Sequence, residues 1–168
     1  MLMDVKMRDD ATHQPVLFEI IRHTHGSILE LGAGESSTEQ IHELAKDRNI
    51  LTVDDNQQWL DNYKHLKTDQ HEFALFNENL FEIYGHEWSV VLVDLSTWEQ
   101  RMWAIYKLRY YVDYMVIHDA EGKNLGRLFK FWREYRVTDL PMPTTLIASN
   151  NYSLEDIHIE GATIVNHG

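Results

Sequence analysis

The residues best suited to chemistry in this 168-residue chain lie in two short stretches. In "VIHDAEG", Val116–Gly122, His118 and Asp119 close a β-branched apolar run, and Asp94 closes another, "VVLVD". An imidazole titrates near neutrality, so a histidine oriented by a carboxylate can take the proton of a hydroxyl. Asp94 and Asp119 also offer the oxygen donors of a Mg²⁺-type divalent cation, which would lower the pKa of a bound hydroxyl. Against both readings stand a hydrogen-bonded structural His118 and a turn-forming Asp119 before Gly122.

The second stretch is "SILELGAGESST", Ser27–Thr38. A strand running into Gly32 and Gly34 and then into a helix lets backbone approach a ligand closely, as nucleotide sites require. The charges are wrong for a phosphate. Glu35 stands where a helix start would meet a pyrophosphate, Ser37 replaces the third glycine of the dinucleotide pattern, and no lysine follows. Glu30 is expected to place another negative charge near the mouth, with Ser37 and Thr38 completing the turn. Asp54, 22 residues after Gly32, ends the next strand where an acid can accept from a ribose diol, with Asp55 its competitor. The ligand that fits is a nucleoside with a cationic, phosphate-free tail, as in S-adenosylmethionine.

These residues need a scaffold of alternating strands and helices. Strands are expected at 27–31, 50–54, 72–77, 89–95, 112–118, 133–139 and 143–149, the runs "VVLV" and "YMVI" reading as central strands covered on both faces. Helical spacing appears in "PVLFEIIRHT", with Pro15 at its start, after Ser37 with Gln40 as a capping box, near Asn56, in "STWEQRMWAIYKLRYY" and in "NLGRLFKFW". The alternation predicts a doubly wound, mostly parallel α/β sheet with helices on both faces. "LPMP" is too short for a crossover, so the last two strands should pair antiparallel. No repeat or linker interrupts residues 1–168, which read as one domain.

Composition narrows the partners. There are 15 basic and 27 acidic residues, a formal charge of −12, which argues against a nucleic-acid binder. Residues 101–136 run the other way, with eight Lys/Arg and four Asp/Glu, reading as a solvated helix face or a dock for an anionic acceptor. The absence of cysteine excludes disulfides, thiolate metal sites and thiol nucleophiles. No run is long enough to span a bilayer, "MLMDVKMRDDATHQ" lacks the apolar core of a signal peptide, and a cytoplasmic protein is expected. The histidines other than His118 show no zinc spacing and read as surface residues.

"PVLFEIIRHTHGSILELGAGESSTEQIHEL", "LTVDDNQQWL", "VVLVDLSTWEQR" and "VIHDAEG" together resemble class I S-adenosylmethionine-dependent methyltransferases, closest to small microbial and viral sugar O-methyltransferase-like proteins. The resemblance spans residues 15–150. It implies a seven-stranded sheet of order 3-2-1-4-5-7-6 with the seventh strand antiparallel. It also implies that Glu30, Gly32 and Gly34 line the methionine part of the cofactor and Asp54 the ribose. Asn77 and Glu78 would lie near adenine, and Asp94 would face the reacting centre. Relatives that hold a metal on the two acids commonly follow the second with Asn or another acid, where this chain has Ala120.

The expected activity is methyl transfer to a saccharide or glycan hydroxyl. Trp98 would stack on the acceptor, and Arg101 would bind an acceptor hydroxyl or phosphate or pair with Glu99 or Glu121. Trp103, Tyr106, Tyr110 and Trp132 read as core or as a homo-oligomer interface. Competing readings are a metal-dependent methyltransferase of another small hydroxylated molecule, an NAD-type oxidoreductase, and a non-catalytic cofactor-fold protein.

Overall fold

The computed structural model describes residues 11–77, 81–84, 86–121, 132, 134–138, 143–159 and 164–166. Five strands run parallel: β1 (Ile28–Leu31), β2 (Ile50–Asp54), β3 (His71–Leu75), β4 (Trp88–Val93) and β5 (Val112–Ile117). Beyond β5 lie β7 (Leu146–Ser149), β6 (Glu134–Thr138) and β8 (Ile164–Asn166), each antiparallel to its neighbour. The order is β3-β2-β1-β4-β5-β7-β6-β8.

The expected count of seven is therefore corrected to eight. β8 has only three residues on the sheet edge, too few to give a periodic signal. The antiparallel pairing of β6 with β7 is present. Expected helix 124–132 lies outside the described residues, apart from buried Trp132.

Alternation along the strands divides the core. Leu29, Leu31, Val91, Val93, Met115 and Ile117 pack on one face with Ala104, Ile105 and Leu108 of α5 (Trp98–Leu108). Their strand neighbours Ile28, Val90, Leu92, Tyr114 and Val116 pack on the other with Val16, Leu17, Ile20 and Ile21 of α1 (Gln14–His23) and Ile41 of α2 (Thr38–Leu44). A strand buried on both faces must be apolar at nearly every position, which is why "VVLV" and "YMVI" run unbroken. α3 (Gln57–Tyr63) buries Leu60 and Tyr63 against Ala33, and α4 (Phe81–Tyr84) is a single turn.

The caps are distributed differently from expectation. Thr97 and Gln100 form a reciprocal capping box that starts α5 just after β4. Asn56 caps α3 by accepting from the Gln58 N–H at 2.9 Å. Ser37, expected to cap α2 with Gln40, makes no side-chain cap bond. Its hydroxyl is used elsewhere. None of the helices among the described residues is long and apolar enough to cross a membrane.

Candidate active site above the strand ends

β1, β4 and β5 all end on one side of the sheet, and a cavity of about 370 Å³ opens there. One wall is the glycine turn, Ala33 to Ser37, and the other is Asp94, His118 and Asp119. His13, Trp59 and Pro143 complete the lining. The volume falls within the range of about 300–1,000 Å³ usual for small-molecule sites.

The two glycines have different duties. Gly32 has φ +107°, and a Cβ there would sit 2.2 Å from the Asp94 carbonyl oxygen. It is glycine because β1 must pass hard against the end of β4 in a left-handed conformation. A Cβ on Gly34 would meet nothing within 4 Å, so that position opens to the cavity.

Glu30 corrects the expectation of a charge at the mouth, because it is fully buried beneath the turn. Its Oε1 accepts from the hydroxyls of Ser37 and Thr38, and its Oε2 from Thr52 at 2.7 Å. The Thr38 hydroxyl in turn accepts from the Gly34 N–H at 2.9 Å. Burial pushes the Glu30 carboxyl up to about 7, and the three hydroxyl bonds offset only part of that. The network continues from Thr52 to the buried His71 at 2.9 Å, and from His71 to His42 at 2.9 Å. Burial, with His42 alongside, holds His71 down to about 4. Of the two acids foreseen around this turn, only Glu35 is exposed and lines the cavity.

Asp54 sits one layer behind the wall. Its carboxylate accepts from the Ala33 N–H at 2.8 Å and the Asn56 N–H at 2.7 Å, tying the glycine turn to the start of α3. Burial raises its pKa against the pull of those two bonds. Asp55 is half-exposed and accepts from Ser96, which links the β2 and β4 ends at 2.8 Å. Asn77 is exposed beyond β3 and does not line the cavity, and Glu78 lies outside the described residues.

The opposite wall is organised by Arg101, which is 6% exposed. Its guanidinium donates to the Leu95 and His118 carbonyls, to Asp94 Oδ1 at 3.0 Å and to Asp119 Oδ2 at 3.3 Å. Arg101 therefore pairs with Asp94 and Asp119, in place of the Glu99 or Glu121 expected from sequence. It clamps the corner from below and does not line the cavity. Trp98 lies under the same guanidinium, 5.4 Å from ring centre to Cζ, and is likewise outside the lining.

The three candidate catalytic residues do converge. His118 Nδ1 lies 3.2 Å from Asp94 Oδ1 and 3.7 Å from Asp119 Oδ1. Burial disfavours the imidazolium, but the bond to Asp94 and the two carboxylates outweigh it, with Arg101 opposing, so the His118 pKa is raised. Asp119 takes φ +53°, a left-handed conformation that aspartate tolerates better than most residues, as β5 turns out of the sheet.

His13, read from sequence as a surface histidine, is 2% exposed and meets His118 edge to face at 4.4 Å between ring centres. The available signal was its position. It occupies the N-cap of α1 before Pro15, yet makes no side-chain cap bond, which is an unusual use of a cap site. Thr12 beside it donates to the Pro143 carbonyl and lies 3.4 Å from His118 Nε2.

No protein-family model and no curated protein matches the sequence. Solved structures do match. The bifunctional kinase-methyltransferase WbdD superposes with TM-score 0.58 at 14% identity over 98% of this chain, which spans 43% of that protein. A caffeoyl-CoA O-methyltransferase-like protein from Staphylococcus aureus gives 0.61 at 12% identity, covering 79% of this chain and 80% of that one. M. capricolum TrmK, solved with S-adenosylhomocysteine, gives 0.56 at 17% identity, covering 86% and 73%. At such identities the likeness is one of fold: this chain has the mixed, mostly parallel α/β sheet of S-adenosylmethionine-dependent methyltransferases.

Proposed function

We propose that the protein is an S-adenosylmethionine-dependent O-methyltransferase acting on a hydroxyl of a saccharide or glycan. The observation that carries this reading is a cavity whose lining includes both Gly34 and His118. The donor belongs on the glycine side, where Gly34 permits close backbone approach and Glu35 faces the cationic tail. The acceptor belongs on the Asp94–His118 side.

Transfer is an in-line displacement. The acceptor oxygen bonds to the methyl carbon, the carbon–sulfur bond breaks with its electron pair leaving on sulfur, and the acceptor proton is lost. The chain's main contribution is to hold the two reactants collinear. Its second is to help remove the proton in the corner braced by Arg101. TrmK, solved with S-adenosylhomocysteine on a related fold, supports the donor. The chain's charge of −12 favours a neutral saccharide over a nucleic acid.

The test is transfer of a radiolabelled methyl group from S-adenosylmethionine to a panel of saccharides, catechols and RNA. Label recovered in an alkali-stable sugar ether is the expected result. Label only in RNA or in an amine would overturn the acceptor.

A further inference from the structure

We propose that His13, Asp94 and His118 form a binding site for a first-row transition-metal dication, Zn²⁺ foremost, on the cavity wall. Each of these residues offers one ligand atom, and the three atoms lie within 4.8 Å of one another. Donors around a shared Zn²⁺ at about 2.0–2.2 Å stand roughly 3.3–3.6 Å apart. The His118 Nδ1 to Asp94 Oδ1 edge, at 3.2 Å, is already within about 0.1 Å of that range. Only His13 must close in, and it lies on the chain just before α1.

The surroundings supply what a ligand set needs from its neighbours. Thr12 donates its proton to the Pro143 carbonyl, so toward His118 Nε2 it presents a lone pair. In the tautomer protonated on Nε2, that N–H donates to Thr12 and Nδ1 faces a carboxylate oxygen, a pairing that a cation or a second proton between them would satisfy. A ligating histidine characteristically donates its remote N–H in this way, and a ligating carboxylate is itself hydrogen-bonded, as Asp94 is by Arg101.

Two imidazoles and one carboxylate suit Zn²⁺, Co²⁺ or Fe²⁺ far better than Mg²⁺, which prefers oxygen donors and retains water. Asp119 stays outside the set: it is not among the three residues whose donor atoms come together, and its Oδ1 lies 3.7 Å from His118 Nδ1, against 3.2 Å for Asp94 Oδ1. The site thus differs from the Asp94–Asp119 pair expected from sequence, and it recruits a histidine from the far end of the chain.

Three protein ligands leave a coordination position toward the cavity. The catalytic consequence, unlike the site, rests on the methyltransferase reading. An acceptor hydroxyl bound at that position would have its pKa lowered. It would release its proton to solvent and attack the sulfonium methyl, while His118, engaged through Nδ1, would orient the ion.

The test uses the full chain freed of metal by chelation and titrated with Co²⁺, Zn²⁺ and Mg²⁺ in the absence of cofactor. Stoichiometry is read by elemental analysis and geometry by the Co²⁺ absorption bands. One Co²⁺ or Zn²⁺ per chain is expected, with intense tetrahedral bands and little Mg²⁺ binding. His13→Ala and His13→Gln should each weaken binding at least tenfold. Asp119→Asn should leave it unchanged, and the thermal midpoint of each variant checks its fold. No uptake, uptake indifferent to both His13 substitutions, or preferential Mg²⁺ binding would overturn the site. S-adenosylhomocysteine binding without metal uptake would overturn the site alone; metal uptake without S-adenosylhomocysteine binding would overturn the methyltransferase reading alone.

Discussion

Glu30 and Asp94 lie on adjacent parallel strands, one within β1 and the other just past the end of β4, yet the chain treats them in opposite ways. Glu30 is fully buried and meets three hydroxyls, all neutral donors. Asp94 keeps a quarter of its side chain exposed and meets an arginine and a histidine. The first region is closed: its donors satisfy the acid and its carboxyl is pushed up to about 7. The second is open, with charged groups crowded onto a cavity wall. A buried acid surrounded by hydroxyls braces a turn, whereas a partly exposed acid between an arginine and a histidine is poised to meet a ligand.

The sharpest way to break this contrast is at the two glycines of the turn between these acids, one packed against the backbone of β4's end and one open to the cavity. Gly32→Ala must force a Cβ against the Asp94 carbonyl at a positive φ, and should cost about 4 kcal/mol or more of stability. Gly34→Ala adds a methyl to open space, so it should change stability by less than about 1 kcal/mol while weakening S-adenosylhomocysteine. Urea denaturation of both variants measures the difference. Equal losses would show that the turn has one function rather than two.

A smaller effect separates the acids by pH. Glu30 binds its proton more tightly folded than unfolded, so its contribution to stability is full below pH 4.5 and is lost as pH rises through about 7. His71 binds its proton less tightly folded, so its contribution is full above pH 6.5 and is lost as pH falls through about 4. The two slopes oppose each other where the windows overlap. Glu30→Gln removes one of them. Relative to the parent, the variant should gain on the order of 3 kcal/mol between pH 4.5 and 7, because each tenfold difference in proton affinity is worth about 1.4 kcal/mol. Parallel urea-midpoint profiles for variant and parent across that range would show that Glu30 is not held as described.

The open region was the more legible of the two in sequence. Asp94, His118 and Asp119 end apolar runs, and strand ends of a parallel sheet share one edge, so their convergence followed from topology. The closed region was misread for a local reason. In "ILEL" an acid between leucines resembles a residue pointing out at a strand end, but Glu30 lies on the face covered by α1 and α2, where Ser37, Thr38 and Thr52 reach it. The Ser37 hydroxyl that donates to Glu30 accepts no bond from the first-turn N–H groups of α2. His13 and Arg101 were misassigned because their partners are set by tertiary contacts that neither spacing nor periodicity encodes. Seven strands were placed within a few residues because burial on one or both faces leaves a long signal, and three-residue β8 leaves none.

The central claim is that the cavity between these regions takes a cationic nucleoside donor rather than a dinucleotide. Calorimetric titration of the chain with S-adenosylhomocysteine and, separately, with NAD tests it most directly. The account predicts saturable binding of S-adenosylhomocysteine at one molecule per chain and no heat from NAD. Saturable binding of NAD with none of S-adenosylhomocysteine would contradict it.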